Sequence, residues 1–166
     1  MTTTPDPNGR LRHTATGRDL VLTRTYRAPI DDIWASITEP ERTARWIGPW
    51  EGEAGPGKTV RLQMVFEEEQ LWFDATIDIC EPPRRLVIRT IDDHGSWHLE
   101  AVLSERDGTT ELVFTHHLDS EANIAEVGPG WEYYLDALGA SRTGAPRPDF
   151  DDYFPAMKSY YEGLES

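Results

Sequence analysis

Hydrophobic and polar residues alternate along the middle of the chain, from residue 60 to residue 118. Alternation with a period of two is typical of strands with one face on a core and the other in water. Short turn sequences separate the segments, among them Pro82-Pro83 and the hairpin signal at 106–109, so the pattern predicts an antiparallel meander. Together with an earlier, weaker segment, the predicted strands are 19–27, 60–67, 70–80, 85–92, 96–105 and 110–118.

A helical period appears between the first strand and the meander. Ile30, Ile33, Trp34 and Ile37 form one apolar stripe, which predicts a helix that ends before Pro40. A second short helix is predicted over 40–46. The following segment, 47–59, is rich in glycine and proline and is predicted to be a loop.

The most informative helical pattern comes after the strands. Trp131, Tyr134, Leu135 and Leu138 are spaced i, i+3, i+4 and i+7, so they share one helix face that must be buried against the sheet. We expect a short helix capped by Ser120, a break at 128–130, and a main helix stopped by Gly139, with a final helix within 150–164. The predicted fold class is α+β: a curved antiparallel sheet wrapped around a long C-terminal helix, with two short helices after the first strand.

The length of the chain predicts its domain organisation, and its net charge excludes some classes of binding partner. The chain has 166 residues and a net charge of −14. This length predicts one domain, 18–166, with a flexible leader over 1–17 and a C-terminal extension over 141–166. The negative charge argues against binding to nucleic acid or to anionic lipid.

The single cysteine, Cys80, excludes an intramolecular disulfide and a cysteine-built zinc site. No apolar run is long enough for membrane insertion, and the first residues lack the apolar stretch of a secretory signal. The sequence therefore predicts a cytoplasmic protein.

Three segments, in order, resemble a known family. Residues 23–49, FTHHL at 114–118 and GPGWEYYLDAL at 128–138 resemble bacterial proteins related to the C-terminal domain of the Hsp90 ATPase activator. The matching positions of the opening segment are Ala28-Pro29, Ile33-Trp34, Trp46 and Gly48-Pro49. The resemblance covers about residues 18–140 and implies the helix-grip fold of the START-like, Bet v 1-like (SRPBCC) superfamily. Members are mostly small pocket proteins. Eukaryotic relatives are chaperone cofactors with an additional domain, which we do not expect within these 166 residues.

The sequence offers little support for catalysis. The alternation of side chains along the last predicted strand places His116 on its inward face. Three roles fit that position: a polar anchor in a pocket, a general base, and a hydrogen-bonded core residue. His117 is expected at the surface, and Glu132 and Asp136 are expected in solvent. Neither a metal motif nor a nucleophile elbow occurs in the sequence, so we expect no metal and no cofactor.

Aromatic residues on predicted inward faces are the more informative set. They fit either an ordinary core or an apolar ligand pocket, with Arg24, His116 and Tyr133 or Tyr134 as groups that orient the ligand. The predicted pocket residues are Trp46, Phe66, Phe73, Trp97, Phe114, His116, Trp131, Tyr134 and Leu135.

The pattern favours a binding protein for a hydrophobic or aromatic small molecule over an enzyme. The alternative is a protein-interaction module, such as an Hsp90 co-chaperone, that uses loop 47–59 or the aromatic tail. In that case a homodimer or a protein partner would cover Tyr153, Phe154, Tyr160 and Tyr161.

Overall fold

One antiparallel sheet of eight strands forms the framework of the molecule, in the order β1-β2-β8-β7-β6-β5-β4-β3. The computed structural model describes residues 7–15, 17–66, 69–92, 95–118 and 123–164. The strands are β1 (Arg10–Thr14), β2 (Gly17–Tyr26), β3 (Trp50–Glu51), β4 (Thr59–Gln63), β5 (Trp72–Glu81), β6 (Arg85–Asp92), β7 (Gly95–Arg106) and β8 (Thr109–Leu118). The helices are α1 (Ile30–Thr38), α2 (Pro40–Thr43), α3 (Ile124–Thr143) and α4 (Lys158–Leu164), with a 3₁₀ turn at Phe150–Asp152. The predicted α+β class and the meander are confirmed.

The core lies between the concave face of the sheet and α3. Leu22 of β2 and Leu112 of β8 are at most 1% exposed, and so is Leu138 of α3. Leu20 and Leu135 belong to the same cluster of buried side chains. This contact buries the apolar face of α3 that was predicted from its i, i+3, i+4, i+7 spacing.

The C-terminal end of α1 is completed by two tryptophans from outside the helix. The Ser36 carbonyl would normally accept a bond from the residue four positions later, but that residue is Pro40, which has no N–H. The Trp46 indole N–H donates to this carbonyl at 2.8 Å, and the Trp50 indole N–H donates to the Thr38 carbonyl at 2.8 Å. The segment after α2 is thereby attached to α1.

Part of the predicted flexible leader forms regular structure. Strand β1 pairs with β2 in register, from Arg10 opposite Val21 to Thr14 opposite Gly17. The sequence of β1, RLRHT, is polar and carries no alternation that would reveal a strand. Its pairing is supplied by the exposed backbone edge of β2, which a side-chain pattern does not show.

Helix α3 is continuous, so the predicted break at 128–130 and the predicted stop at Gly139 are wrong. Asn123 caps its start by accepting a hydrogen bond from the Ala125 amide, and it ends at Gly144, whose φ of 75° is left-handed. The predicted cap, Ser120, lies outside the described residues. Packing holds the helix through Pro129 because the surrounding turn is buried.

Two glycines of α3 predict opposite effects of the same substitution. A Cβ on Gly128 would lie 2.4 Å from Cε1 of Tyr161, whereas a Cβ on Gly130 would meet nothing within 4 Å. We expect Gly128→Ala to lower the free energy of unfolding by about 1–3 kcal/mol through overpacking. Gly130→Ala should raise it by about 0.5–1 kcal/mol, because alanine favours the helix. Urea unfolding of the two variants tests this, and equal effects would show that Tyr161 does not pack on Gly128.

The aromatic tail packs onto α3. Tyr153 and Tyr161 are 3% and 0% exposed, and Met157 is buried with them. The prediction that these two tyrosines cover a dimer face is therefore wrong, because they belong to the protein's own core. Tyr160 is 38% exposed, and its hydroxyl donates to the Gly9 carbonyl at 2.7 Å.

Candidate functional site

A cavity of about 180 Å³ lies between the sheet and the helices. Of the nine predicted pocket residues, Trp46, Phe114, Trp131 and Leu135 line it. Strands β4 to β8 supply most of the remaining wall, through Val60, Leu62, Ala75, Ile77, Cys80, Leu86, Ile88, Leu99, Ala101 and Leu112. We call this space the main cavity. Its wall is almost entirely apolar, as in most small-molecule sites.

The main cavity reaches the surface at one end. Ile37 and Thr38 at the end of α1 line it, together with Trp50 and Ala54 from the segment after α2. Ala54 is exposed, so the cavity opens between α1 and this segment. Since Trp50 is hydrogen bonded to Thr38, its indole ties the two sides of the opening together.

A β-bulge in β5 brings Cys80 to the cavity. Ile77 pairs with Ile88, but the register then shifts so that Ile79 pairs with Val87 and Cys80 with Leu86. One extra residue on the bulged strand exchanges the faces of the residues that follow. Uninterrupted alternation from Ala75 and Ile77 would place Ile79 on the inward face, but after the bulge Ile79 does not line the cavity and the Cys80 thiol does. Burial raises the pKa of this thiol.

A second cavity of about 50 Å³ adjoins the first. We call it the side cavity. Phe73, Trp97 and Thr90 line it, and so does Trp131, which also lines the main cavity. Trp97 is 39% exposed, so its ring separates the side cavity from solvent.

Phe66 does not face inward as predicted. It is 38% exposed and lines neither cavity. The Arg147 guanidinium lies 3.4 Å from the centre of its ring and also donates to the Tyr133 hydroxyl at 2.8 Å. Strand β4 ends at Gln63, so the alternation that would place Phe66 inward stops three residues before it.

His116 is buried, as predicted, and is 2% exposed. The Trp131 indole N–H donates to its Nδ1 at 3.1 Å. An indole nitrogen can only donate, so Nδ1 must be the acceptor and the imidazole proton lies on Nε2. His116 lines neither cavity, and its basic nitrogen is already occupied by Trp131. Tyr134, 6% exposed, packs its ring 6.1 Å from that of Trp131 and also lines neither cavity.

Glu132, expected in solvent, is 0% exposed. Its Oε1 accepts from Arg24 at 2.7 Å, and its Oε2 accepts from the Tyr161 hydroxyl at 2.5 Å. The backbone amides of Asn8 and Gly9 also donate to Oε2, at 2.5 and 3.1 Å. We call these groups the Glu132 cluster. It joins the N-terminal segment, β2, α3 and α4.

Arg24 is therefore not a ligand anchor. Its Nε donates to Asp136 at 3.0 Å, while its terminal nitrogen binds Glu132. Burial alone would lower the pKa of Arg24, but Asp136 and Glu132 outweigh it and raise that pKa. The two carboxylates, whose i, i+4 spacing suggests mutual repulsion, are instead bridged by one cation.

The outer face of the sheet carries a polar group that the sequence does not reveal. His117 Nδ1 lies 2.8 Å from Asp19, and its Nε2 lies 3.4 Å from Glu100. Glu100 also accepts from Arg85 at 2.7 Å. His117 is half-buried in this network rather than free at the surface. Among the described residues, no group of three or more His, Cys, Asp or Glu side chains is arranged to hold a metal ion.

Comparison with known proteins defines the family. The model of the Activator of Hsp90 ATPase homolog 1-like family matches residues 27–141, more than half of the chain. The chain belongs to this family. The match begins just before α1 and ends within α3, so this Hsp90 ATPase activator-like region includes every strand from β3 to β8 and all the residues that line the two cavities. The helix-grip fold that the resemblance implied is confirmed.

Solved structures agree with the assignment. CalU16 from Micromonospora echinospora is 29% identical, with a TM-score of 0.77 and 96% of each chain covered. The protein encoded by gene BPP1335 of Bordetella parapertussis is 25% identical, with a TM-score of 0.73 over 97% of this chain and 92% of that one. DynU16, described as a putative protein in the dynemicin biosynthetic locus, is 22% identical, with a TM-score of 0.68 over 80% of this chain and 50% of that one. The last likeness shows the fold alone.

Two further results are negative. None of the curated proteins matches the sequence. Within the described residues, no helix combines the length and apolar character needed to cross a membrane.

Proposed function

We propose that this member of the Hsp90 ATPase activator-like family is a cytoplasmic protein that binds an uncharged hydrophobic or aromatic small molecule in the main cavity, without catalysing a reaction. The observation that carries the proposal is the cavity of about 180 Å³ with its apolar wall. An apolar cavity of about 150 Å³ stays dry and binds benzene, so a space of this size can hold one aromatic ring.

The polar residues of the wall support an uncharged ligand. They are Thr38, Thr43 and Glu100. The Glu100 carboxylate lies on the outer face of the sheet, where it is paired with Arg85, so it brings no charge into the cavity. A charged ligand would be desolvated in this space without a partner of opposite charge, at high cost in free energy.

The state of His116 supports binding rather than catalysis. A general base needs a free nitrogen lone pair within hydrogen-bond reach of its substrate. The Nδ1 lone pair of His116 accepts the Trp131 N–H, and the ring lies outside both cavity walls.

Cys80 provides a direct test because it is the only cysteine of the chain and lines the main cavity. We expect toluene to slow the reaction of Cys80 with a thiol reagent such as DTNB and to raise the melting temperature. The Cys80→Ser variant has no thiol, so any signal that it gives with the reagent is background. A melting temperature and a labelling rate that toluene leaves unchanged would refute the proposal.

Neighbouring residues of β7 supply a matched pair of variants. Ala101 lines the main cavity, whereas Val102 is 38% exposed. Ala101→Leu should fill part of the cavity and weaken toluene binding about tenfold, while Val102→Leu should leave it unchanged. Isothermal titration of both variants measures this, and equal binding by both would place the ligand elsewhere.

The second candidate is the protein-interaction module, for which the family description gives the reason, since it names an activator of a chaperone ATPase. Loop 47–59 remains the surface proposed for it, because residues 51–54 and 56–59 are exposed. Retention of an Hsp90 protein on the immobilised chain, lost on changes in this loop, would favour it over the small-molecule proposal.

A further inference from the structure

We infer that the main and side cavities form one binding site with two lobes, which takes a single aromatic ring carrying a short unbranched alkyl chain. The inference rests on the proposed function and specifies the class of ligand. The ring would occupy the main cavity and the chain would extend into the side cavity.

The shared wall is the first reason. The two cavities share part of their walls, because both are lined by Ile47, Leu62, Ile88, Leu99 and Trp131. Aliphatic side chains can change rotamer without breaking a hydrogen bond, whereas the Trp131 indole is held by His116. The passage between the lobes therefore opens beside the aliphatic members of this wall, along a fixed Trp131 ring.

The sizes of the two lobes are the second reason. The main cavity, about 180 Å³, compares with the 150 Å³ that suffices for benzene. The side cavity, about 50 Å³, is too small for a second ring and has room for a chain of a few carbon atoms.

The chemistry of the side cavity is the third reason. Its wall includes Met64 and Phe73, with Thr90 as its hydroxyl-bearing residue, and Trp97 covers it toward solvent. Among the described residues that line it, none carries a charge. Methionine adapts readily to different apolar shapes, which suits a flexible chain. An alkyl substituent matches this wall, and a charged one does not.

A series of alkylbenzenes tests the inference. Toluene, ethylbenzene, propylbenzene and butylbenzene differ only by methylene groups, and each methylene that enters the side cavity should tighten binding about fourfold. Isothermal titration gives the four dissociation constants. We expect the gain to continue to propylbenzene and then to stop, once the side cavity is full.

Thr90→Leu separates the lobes because Thr90 lines only the side cavity. We expect it to abolish the gain along the series and to leave toluene binding within twofold of the unchanged protein. Ala101→Leu, in the main cavity, should instead weaken every member. Should Thr90→Leu fail to fold, Phe73→Leu enlarges the side cavity and should move the tightest ligand to a longer chain.

The outcomes distinguish the two proposals. If no alkylbenzene binds, the proposed function itself is wrong. If toluene binds but longer chains bind no tighter, or if the gain survives Thr90→Leu and Phe73→Leu unchanged, the two-lobed site is wrong and the main cavity alone is the site.

Discussion

Replacing Glu132 by alanine is expected to lower the free energy of unfolding by about 3–5 kcal/mol, the usual cost of removing one partner of a buried ion pair. Glu132 is fully buried and accepts hydrogen bonds from Arg24, from Tyr161 and from two backbone amides. Its removal leaves these donors without their common acceptor, and the bonds from Gly9 and Tyr161 are buried. Urea unfolding followed by circular dichroism measures the loss.

Glu162→Ala is the matched control for this prediction, since Glu162 is exposed on α4 and its loss should change stability by less than about 0.5 kcal/mol. Glu132→Gln keeps the shape but turns one acceptor into a donor that faces other donors, so it should also destabilise. If Glu132→Ala lowered the free energy of unfolding by less than about 1 kcal/mol, the Glu132 cluster would not hold the N-terminal segment and α4 against α3.

Alkaline pH is expected to unfold the protein steeply. Burial raises the pKa of Tyr26, Tyr153 and Tyr161 far above the ordinary value of 10.0, and hydrogen bonds to Asp136 and Glu132 raise the last two further. In the unfolded chain these phenols ionise near pH 10, while in the folded chain they stay neutral. The stability they contribute is therefore complete below pH 10 and is lost as pH rises above it. Each should cost about 1.4 kcal/mol per pH unit.

Urea titrations between pH 8 and pH 11 measure this slope. Tyr161→Phe should reduce the slope above pH 10 by about 1.4 kcal/mol per unit, because phenylalanine has no proton to lose. The same variant should be less stable at pH 8, since the bond from Tyr161 to Glu132 is gone. Equal stability of the unchanged protein at pH 8 and pH 11 would contradict the prediction.

The strands were predictable because their alternation is a local property of the sequence. Leu99 and Leu103 of β7 face the core as their parity requires, and so do Leu112, Phe114 and His116 of β8. The buried face of α3, which carries Trp131 and Leu135, was equally predictable from the spacing of its apolar residues. These predictions need only the period of a strand or a helix.

The role of Glu132 was not predictable in this way. A glutamate next to an apolar stripe is ordinarily exposed, and its burial depends on donors more than 100 residues away, at Arg24 and Gly9. Phe66 was misplaced because parity does not continue past the end of a strand. Long-range pairing and the point where a strand stops are properties of the assembled sheet, and a single sequence does not display them.

The bulge in β5 means that this strand contains two alternations set out of phase by one residue. Ile77 belongs to the first and Cys80 to the second, with Asp78 between them bound to Arg89 at 2.6 Å. If the strand paired without the bulge, with Asp78 opposite Val87 and Ile79 opposite Leu86, one phase would run through it, and the thiol would turn outward while Ile79 turned inward. In related chains of the same strand length, the presence or absence of this bulge, rather than the composition of the strand, therefore indicates which side chain at its far end meets a bound molecule.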